Sequence, residues 1–440
     1  MGTTEELAEF CVRTSYADLP ANVLHAAKRD VINVLGVSIY ASRDPSLSIL
    51  LSLFEAEGGR ERATVWGSNV RTGLQNAALA NGYLAHIEDY DDTHFPTVLH
   101  PSAPTVPAAW AIAESGGRSG ADLLAAVALG IEASCRISLA VHPWHYDAGW
   151  HITGTMGVFG GAIAAGKLLG LDAAGLVACL GIAGSQAAGV REAFGSMTKP
   201  FHAGNAARSG VVAALLAQGG FTATDRILEG RRGVAAVLSA ESDLTRVTDG
   251  LGERWEIFNN GLKPYACGVV NHPLIDACIE LRKGGGFDLG AIEAIEADVH
   301  PLVLELVNLP EPKVGLEGKF SVQHCIAVGL TDGAAYPEQF SDAKVQDPAL
   351  IDLRRKVRLV KNESFGEDEA VVRLTIDGRK VDKHVEHATG APENPLSDDQ
   401  LNAKFLTLTA PVLGGTGAEA LLAKLWRLEE QTELAGPLEA

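Results

Sequence analysis

The stretch His86 to Pro104, "HIEDYDDTHFPTVLHPSAP", brings three histidines and four carboxylates together and closes on prolines. Histidine is the side chain that most readily exchanges a proton near neutral pH, so such a cluster suits acid/base work. The carboxylates would also suit a hard divalent cation and the imidazoles a softer one. The spacing predicts that "NGYLAHIEDYDD" ends a helix with Asp89 and Asp92 on one face. It predicts that "THFPTVLHPSAP" is a stiff, proline-bounded loop fixing His94 and His100. No His/Cys spacing of a known metal site is present, and a charge cluster at a helix end needs no function at all.

Three later stretches set cationic or titratable groups among small residues instead of on a charged face. "YDAGWHITGTMG" carries His151, "FGSMTKPFHAGNAARSG" carries Lys199, His202 and Arg208, and "LKPYACGVVNHP" carries Lys263 and His272. A lone His or Lys in such a place is usually a packed core residue or one that reaches solvent. Several together are harder to dismiss, since burial without compensation is costly and an anionic ligand would compensate. The matching chemistry is removal of a proton next to a carboxylate, which needs a base near neutrality and fixed donors for the developing negative charge. If a hydroxyl then leaves, Asp89 or a second histidine can protonate it. If a carboxylate leaves, the same set holds and reprotonates the carbanion, and if nothing leaves, the carbon is epimerised.

These residues need elements to hold them. Up to about residue 265 the chain reads as helix after helix. In "LPANVLHAAKRDVINVLGVSIYA" Pro20 stands near the first turn and Val23, Ala27, Val31 and Leu35 recur at helical spacing. "RATVWGS" is the best strand signal there. Beyond residue 265 the period changes: "AIEADVHP" alternates, and "VVRLTIDGRKVDKHVEH" reads as a hairpin turning at Asp377-Gly378. The tail returns to helix, with Ser397 and Gln400 as a capping box. The expected architecture is mainly α: a large all-helical domain (1–265), a smaller α+β domain (266–395), and C-terminal helices (396–440) rejoining the first. Gly161 to Lys167 has the spacing of a phosphate loop, but Leu168 replaces the required Ser or Thr and no strand precedes it.

Composition narrows the partners. A net charge of −19 over 440 residues argues against nucleic acid and anionic membrane, while leaving room for a local cationic pocket. Aromatics are only 6% against 47% hydrophobic residues and 48 glycines, which favours close-packed helices. Six scattered cysteines fit reduced, buried thiols. The acidic N-terminus lacks a signal-peptide core, and the apolar run "ADLLAAVALGIEASCRISLAV" is interrupted by Glu132 and Arg136, so no lipid-spanning helix and a cytoplasmic location are expected.

At these same residues the sequence resembles the MmgE/PrpD family of 2-methylcitrate dehydratases, cis-aconitate decarboxylases and iminodisuccinate epimerases. The resemblance is carried, in order, by "NGYLAHIEDYDDTH", "HPSAP", "GWHITGTMGVFGGAIAAGKLLGL", "MTKPFHAGNAARSG", "LKPYACGVVNHPLIDA" and "GKFSVQHCIA". It implies a helical domain built from both chain ends, an α+β lid, an active site in the cleft between them, a homodimer, and neither metal nor cofactor. Asp89 and Thr93 fall in its DxDDT element, His100 in HPS, His151 in GWH, Lys199 in TKP and His272 in the lid-domain motif. Asp89, His100, His151, Lys199 and His272 are thereby implied as catalytic, and Thr93, Lys263, Arg208 and His324 as substrate-binding. Two departures stand out: the loop between Thr93 and His100, and His324 where the family commonly has Tyr. The expected activity is a cofactor-independent lyase acting on a small di- or tricarboxylate. An epimerase of a dicarboxylate such as iminodisuccinate is the alternative, and a non-catalytic polycarboxylate binder lies outside both.

Overall fold

Where apolar residues recur at helical spacing the chain coils, and the predicted stripe of Val23, Ala27, Val31 and Leu35 is fully buried on one long helix. The computed structural model describes residues 2–285 and 287–436. Helix accounts for 59% and strand for 9% of the chain, a mainly α protein with a smaller α+β part.

The chain divides into two units, the first drawn from Met1–Ile87, Asp91–Gly261 and Ser397–Ala440, the second from Glu88–Tyr90 and Leu262–Leu396. The first contains α1 (Thr3–Arg13), α2 (Ala21–Ala41), α3 (Leu74–Ile87), α4 (Ser102–Gly116), α5 (Gly120–Val141), α6 (Ile152–Leu168), α7 (Ala173–Gly184) and α8 (Thr198–Gln218). A C-terminal helical stretch, Asp398–Trp426, belongs to it too; it starts with the expected Ser397/Gln400 capping box and breaks into two helices at Gly414 (φ 73°). The two charges that interrupt α5 form a buried clamp. Arg136 Nε donates to Glu132 Oε1 at 2.5 Å, and its guanidinium reaches the carbonyls of Asp249 (2.7 Å) and Arg254 (2.6 Å). Burial pushes the Glu132 carboxyl up to about 7 against the pull of Arg136. Helix α5 is long and apolar enough to cross a membrane, yet 94% of its most apolar window is buried inside the protein.

Small residues let these helices touch backbone to backbone. A Cβ on Gly204 of α8 would stand 2.3 Å from the Leu79 carbonyl oxygen of α3, and one on Gly82 would stand 2.8 Å from the Gly204 Cα. This crossing seats the last turn of α3, with His86, beside the first turns of α8, with Lys199 and His202. Gly204→Ala is therefore expected to cost about 1–3 kcal/mol in urea unfolding, because the obstacle is backbone and cannot swing aside. Unchanged stability in that variant would show that the crossing is looser than described.

The phosphate-loop spacing lies inside α6, and Lys167 donates to the Cys11 carbonyl at 2.9 Å. "RATVWGS" contributes only the two-residue strand Ala63–Thr64. All six cysteines are free and buried.

The second unit is built on β1 (Ile292–Val299), β2 (Val357–Lys361), β3 (Ala370–Ile376) and β4 (Arg379–Val385), in the order β2-β1-β3-β4. Strands β1 and β2 are parallel and the other pairs antiparallel. Ile295, Ala297 and Val299 are buried, whereas on the other face Glu296 lies opposite Arg373, which also forks onto Asp298 at 2.7–2.8 Å. The hairpin turns at Asp377 and Gly378, both with positive φ (48° and 70°), a conformation that aspartate tolerates and that glycine, lacking a Cβ, adopts freely. Helices α9 (His272–Gly284), α10 (Val322–Asp332) and α11 (Pro348–Arg355) complete this unit.

Candidate active site

Helix α3 stops at Ile87, earlier than the spacing predicted, and Asp89 turns into the left-handed region at φ 49°. Aspartate tolerates that conformation, and a run of short carboxylates competes with helix for backbone donors. Asp89 and Asp92 therefore do not share a helical face. Asp92 instead accepts from the Ser102 amide (3.2 Å), the Ser102 hydroxyl and the Asn260 amide (2.7 Å), tying the loop to the start of α4. Burial, and after it the charge of Asp91, push the Asp92 carboxyl up to about 6.

In the first unit four histidines meet. His86 Nδ1 lies 2.7 Å from Asp91 Oδ2. His100, just before α4, sets its Nδ1 2.5 Å from the Asp92 carbonyl and 3.3 Å from Thr93 Oγ1, while its backbone amide donates to Thr153 at 3.1 Å. A carbonyl only accepts, so His100 Nδ1 carries the proton and Nε2 is its basic nitrogen. His151 caps α6, with Nδ1 2.9 Å from His202 Nδ1 and its edge against Phe194. His151 Nε2 is buried and makes no hydrogen bond. The rings of His86 and His100 are 4.6 Å apart, those of His86 and His151 5.7 Å.

Lys199, 5% exposed, is the second residue of α8 and stands 5.6 Å from the Phe194 ring centre. The starts of α4, α6 and α8 thus gather at one place. Helix N-termini carry partial positive charge, and a lysine there opposes its own helix's dipole, so an anion at this spot is favoured by both. Burial, then the neighbouring His86, Lys199, His202 and His100, hold the His151 imidazole well below its ordinary 6.5. Burial, then His86 and Lys199, bring His202 down to about 4. Both rings are neutral at neutral pH and able to take a proton.

A pH profile follows from these signs. If turnover needs neutral His151, the acid limb of kcat/KM lies well below pH 6.5. Lys199→Met removes a cation that disfavours the imidazolium, so the limb moves to higher pH while the rate falls. A limb that stays in place would detach His151 from the rate.

His86, Asp91 and His100 offer ligand atoms near one another, and His86 and Asp91 are hydrogen-bonded at 2.7 Å. In the second unit Asp368, His387 and Glu393 also offer ligand atoms near one another, but Asp368 already pairs with His387 at 2.9 Å at the surface.

The second unit holds the other expected residues. Lys263, 1% exposed, forms an ion pair with Asp89 and also reaches the Asp89 carbonyl at 3.3 Å. Lys319 does the same for Glu88, at 3.0 Å to the carboxylate and 2.7 Å to the carbonyl, and the Tyr90 hydroxyl donates to the Pro264 carbonyl at 2.8 Å. Residues 88–90 are thereby strapped to this unit. His272 opens α9, its Nε2 3.3 Å from the Cys267 carbonyl and its ring edge-on to Tyr265.

Two expected binding residues are placed differently. Arg208 is exposed, and nine residues on from Lys199 it lies half a turn round α8, on the opposite face. His324 is a packed core residue: Nε2 meets the Gln339 carbonyl at 2.8 Å, Nδ1 the Arg354 guanidinium at 3.3 Å, and the ring abuts Phe340. Both ring nitrogens are spent on the protein. His86 and Asp91 join the cluster without having been singled out, and His202, noted in the sequence only as one of several titratable groups among small residues, joins it too. His202 and Lys199 are three apart, one helical face, and that signal was present in the sequence.

The fold is mainly helical, and three of its helix starts collect imidazoles and a lysine, groups suited to moving protons and to attracting an anion. The MmgE/PrpD N-terminal domain matches residues 5–247 and the MmgE/PrpD C-terminal domain residues 265–429. The chain belongs to the MmgE/PrpD family. It is 28% identical to a cis-aconitate decarboxylase of Aspergillus terreus, over 100% of this chain and 95% of that protein. It is also 28% identical to the cis-aconitate decarboxylase of Homo sapiens (97% and 92% covered) and 27% identical to that of Mus musculus (97% and 91%).

Proposed function

We propose that the chain is a lyase of the dehydratase or decarboxylase type acting on a small di- or tricarboxylate, with decarboxylation of cis-aconitate as its reaction. The observation that carries this reading is the meeting of His100, His151 and Lys199 at three helix starts, where carboxylates are attracted and neutral imidazoles can move protons. The activity named for the relatives supports the choice of substrate.

The bond between the methylene carbon and its carboxylate breaks, and carbon dioxide leaves. That electron pair forms a new terminal double bond, and the old double-bond pair takes one proton at the methine carbon. Lys199 and the helix starts hold the remaining carboxylates, and His151 delivers the proton from Nε2, with His100 as the second imidazole in reach. Dehydration would use the same groups in the opposite sense, an imidazole taking the α proton and a second group protonating the departing hydroxyl.

Offering citrate, 2-methylcitrate, cis-aconitate and iminodisuccinate to the purified protein, with products separated and weighed, tests the reading. The expected result is an itaconate-like dicarboxylate and carbon dioxide from cis-aconitate. Loss of water from 2-methylcitrate alone would keep the lyase and change the substrate. Inversion of iminodisuccinate with no group lost would replace the lyase by an epimerase, and tight binding without turnover would leave a polycarboxylate binder.

A further inference from the structure

We propose that His202 is a proton relay: it shares a single proton with His151 across their Nδ1 atoms and thereby sets whether His151 offers an acid or a base to the substrate. The geometry carries this. Two identical nitrogens 2.9 Å apart cannot both donate or both accept, so one ring bears the Nδ1 proton and the other accepts it. The ring centres are 5.2 Å apart with planes at 53°. Gly189 seats both partners: its carbonyl accepts the His151 backbone amide at 3.0 Å, and a Cβ there would stand 3.0 Å from His202 Cγ and 3.1 Å from its Nδ1. Gly154 closes the other side, where a Cβ would stand 3.0 Å from His202 Cβ.

The two tautomers are therefore opposed. When His202 donates through Nδ1, His151 keeps its proton on Nε2 and is an acid. When His151 donates, its Nε2 holds a lone pair and is a base. As His151 gives up its Nε2 proton, the shared proton crosses from His202 Nδ1 to His151 Nδ1, and His202 takes a replacement on Nε2. Each ring ends neutral with its tautomer reversed, and one proton has passed inward. His202 is 9% exposed against 2% for His151, which makes it the ring of the pair nearer to water. His86 and Lys199 act on both rings of the pair and His100 on His151, while the Asp91 carboxylate stands behind them, 2.7 Å from His86 and 3.6 Å from His100.

The substrate step rests on the function proposed above, but the shared proton does not, so the test has two arms. In protein labelled with 15N-histidine, long-range 1H–15N correlation near neutral pH is expected to show His151 and His202 in opposite tautomers, assigned with His151→Gln and His202→Gln. Both rings protonated at Nε2 would overturn the proposal whatever the substrate. In turnover, His202→Ala is expected to lower kcat by about 10²-fold with KM nearly unchanged, and free imidazole is expected to restore a substantial part of it. A loss that imidazole leaves untouched, or no loss, would overturn the relay. His202→Gln replaces the alanine variant if that one fails to fold: it keeps a polar contact but relays no proton, and a normal kcat in it would likewise overturn the proposal.

Discussion

His151→Gln is expected to lower kcat by about 10³-fold while leaving the melting temperature close to that of the parent chain. The size follows from what general acid/base groups contribute when removed. The specificity follows from the geometry. Glutamine can still bond with His202, so packing and polar satisfaction on that side persist. What disappears is the buried Nε2, the nitrogen left without a protein partner. A buried imidazole held neutral by desolvation and by four cationic or titratable neighbours is poised to exchange protons, which an amide cannot do. Kinetics and a thermal melt on the same preparation check this. Full activity would remove His151 from the chemistry, and a collapsed melting temperature would make it a structural residue.

The largest effect on stability is expected at Lys263. Lys263→Met leaves the Asp89 carboxylate buried without its ion-pair partner, and breaking such a pair costs about 3–5 kcal/mol. Methionine has nearly the length of the lysine stem, so little of this loss comes from a cavity. The double variant with Asp89→Asn removes the orphaned charge and is expected to regain most of the loss in urea unfolding. If the double variant is as weak as the single, packing of the lysine stem rather than the charge pair accounts for the effect.

Local chemistry was legible wherever neighbours in sequence decide the outcome. The α2 stripe, the Asp377-Gly378 turn and the Ser397/Gln400 box all came through because spacing and backbone preference suffice for them. Long-range partners decided the rest. Asp92 left the helix for Ser102 and Asn260, and Asp89 turned with positive φ toward Lys263; neither choice is written in the segment itself. His202 meets His151 across 51 residues of chain, in a seat shaped by Gly154 and Gly189. Arg208 shares a motif with Lys199 but not a helix face, which periodicity already held. His324 differs in kind: only its contacts with Gln339 and Arg354 reveal a core residue.

A site that moves a proton at a carbon next to a carboxylate and releases a small group leaves a signature in its product. Proton NMR in deuterium oxide, with the purified protein and cis-aconitate, tests for it most directly. An itaconate-like product carrying one solvent deuterium at the former methine carbon is expected, because the histidine cluster delivers a proton drawn from water. Deuterium appearing in unchanged substrate, with no alkene product and no carbon dioxide, would contradict it.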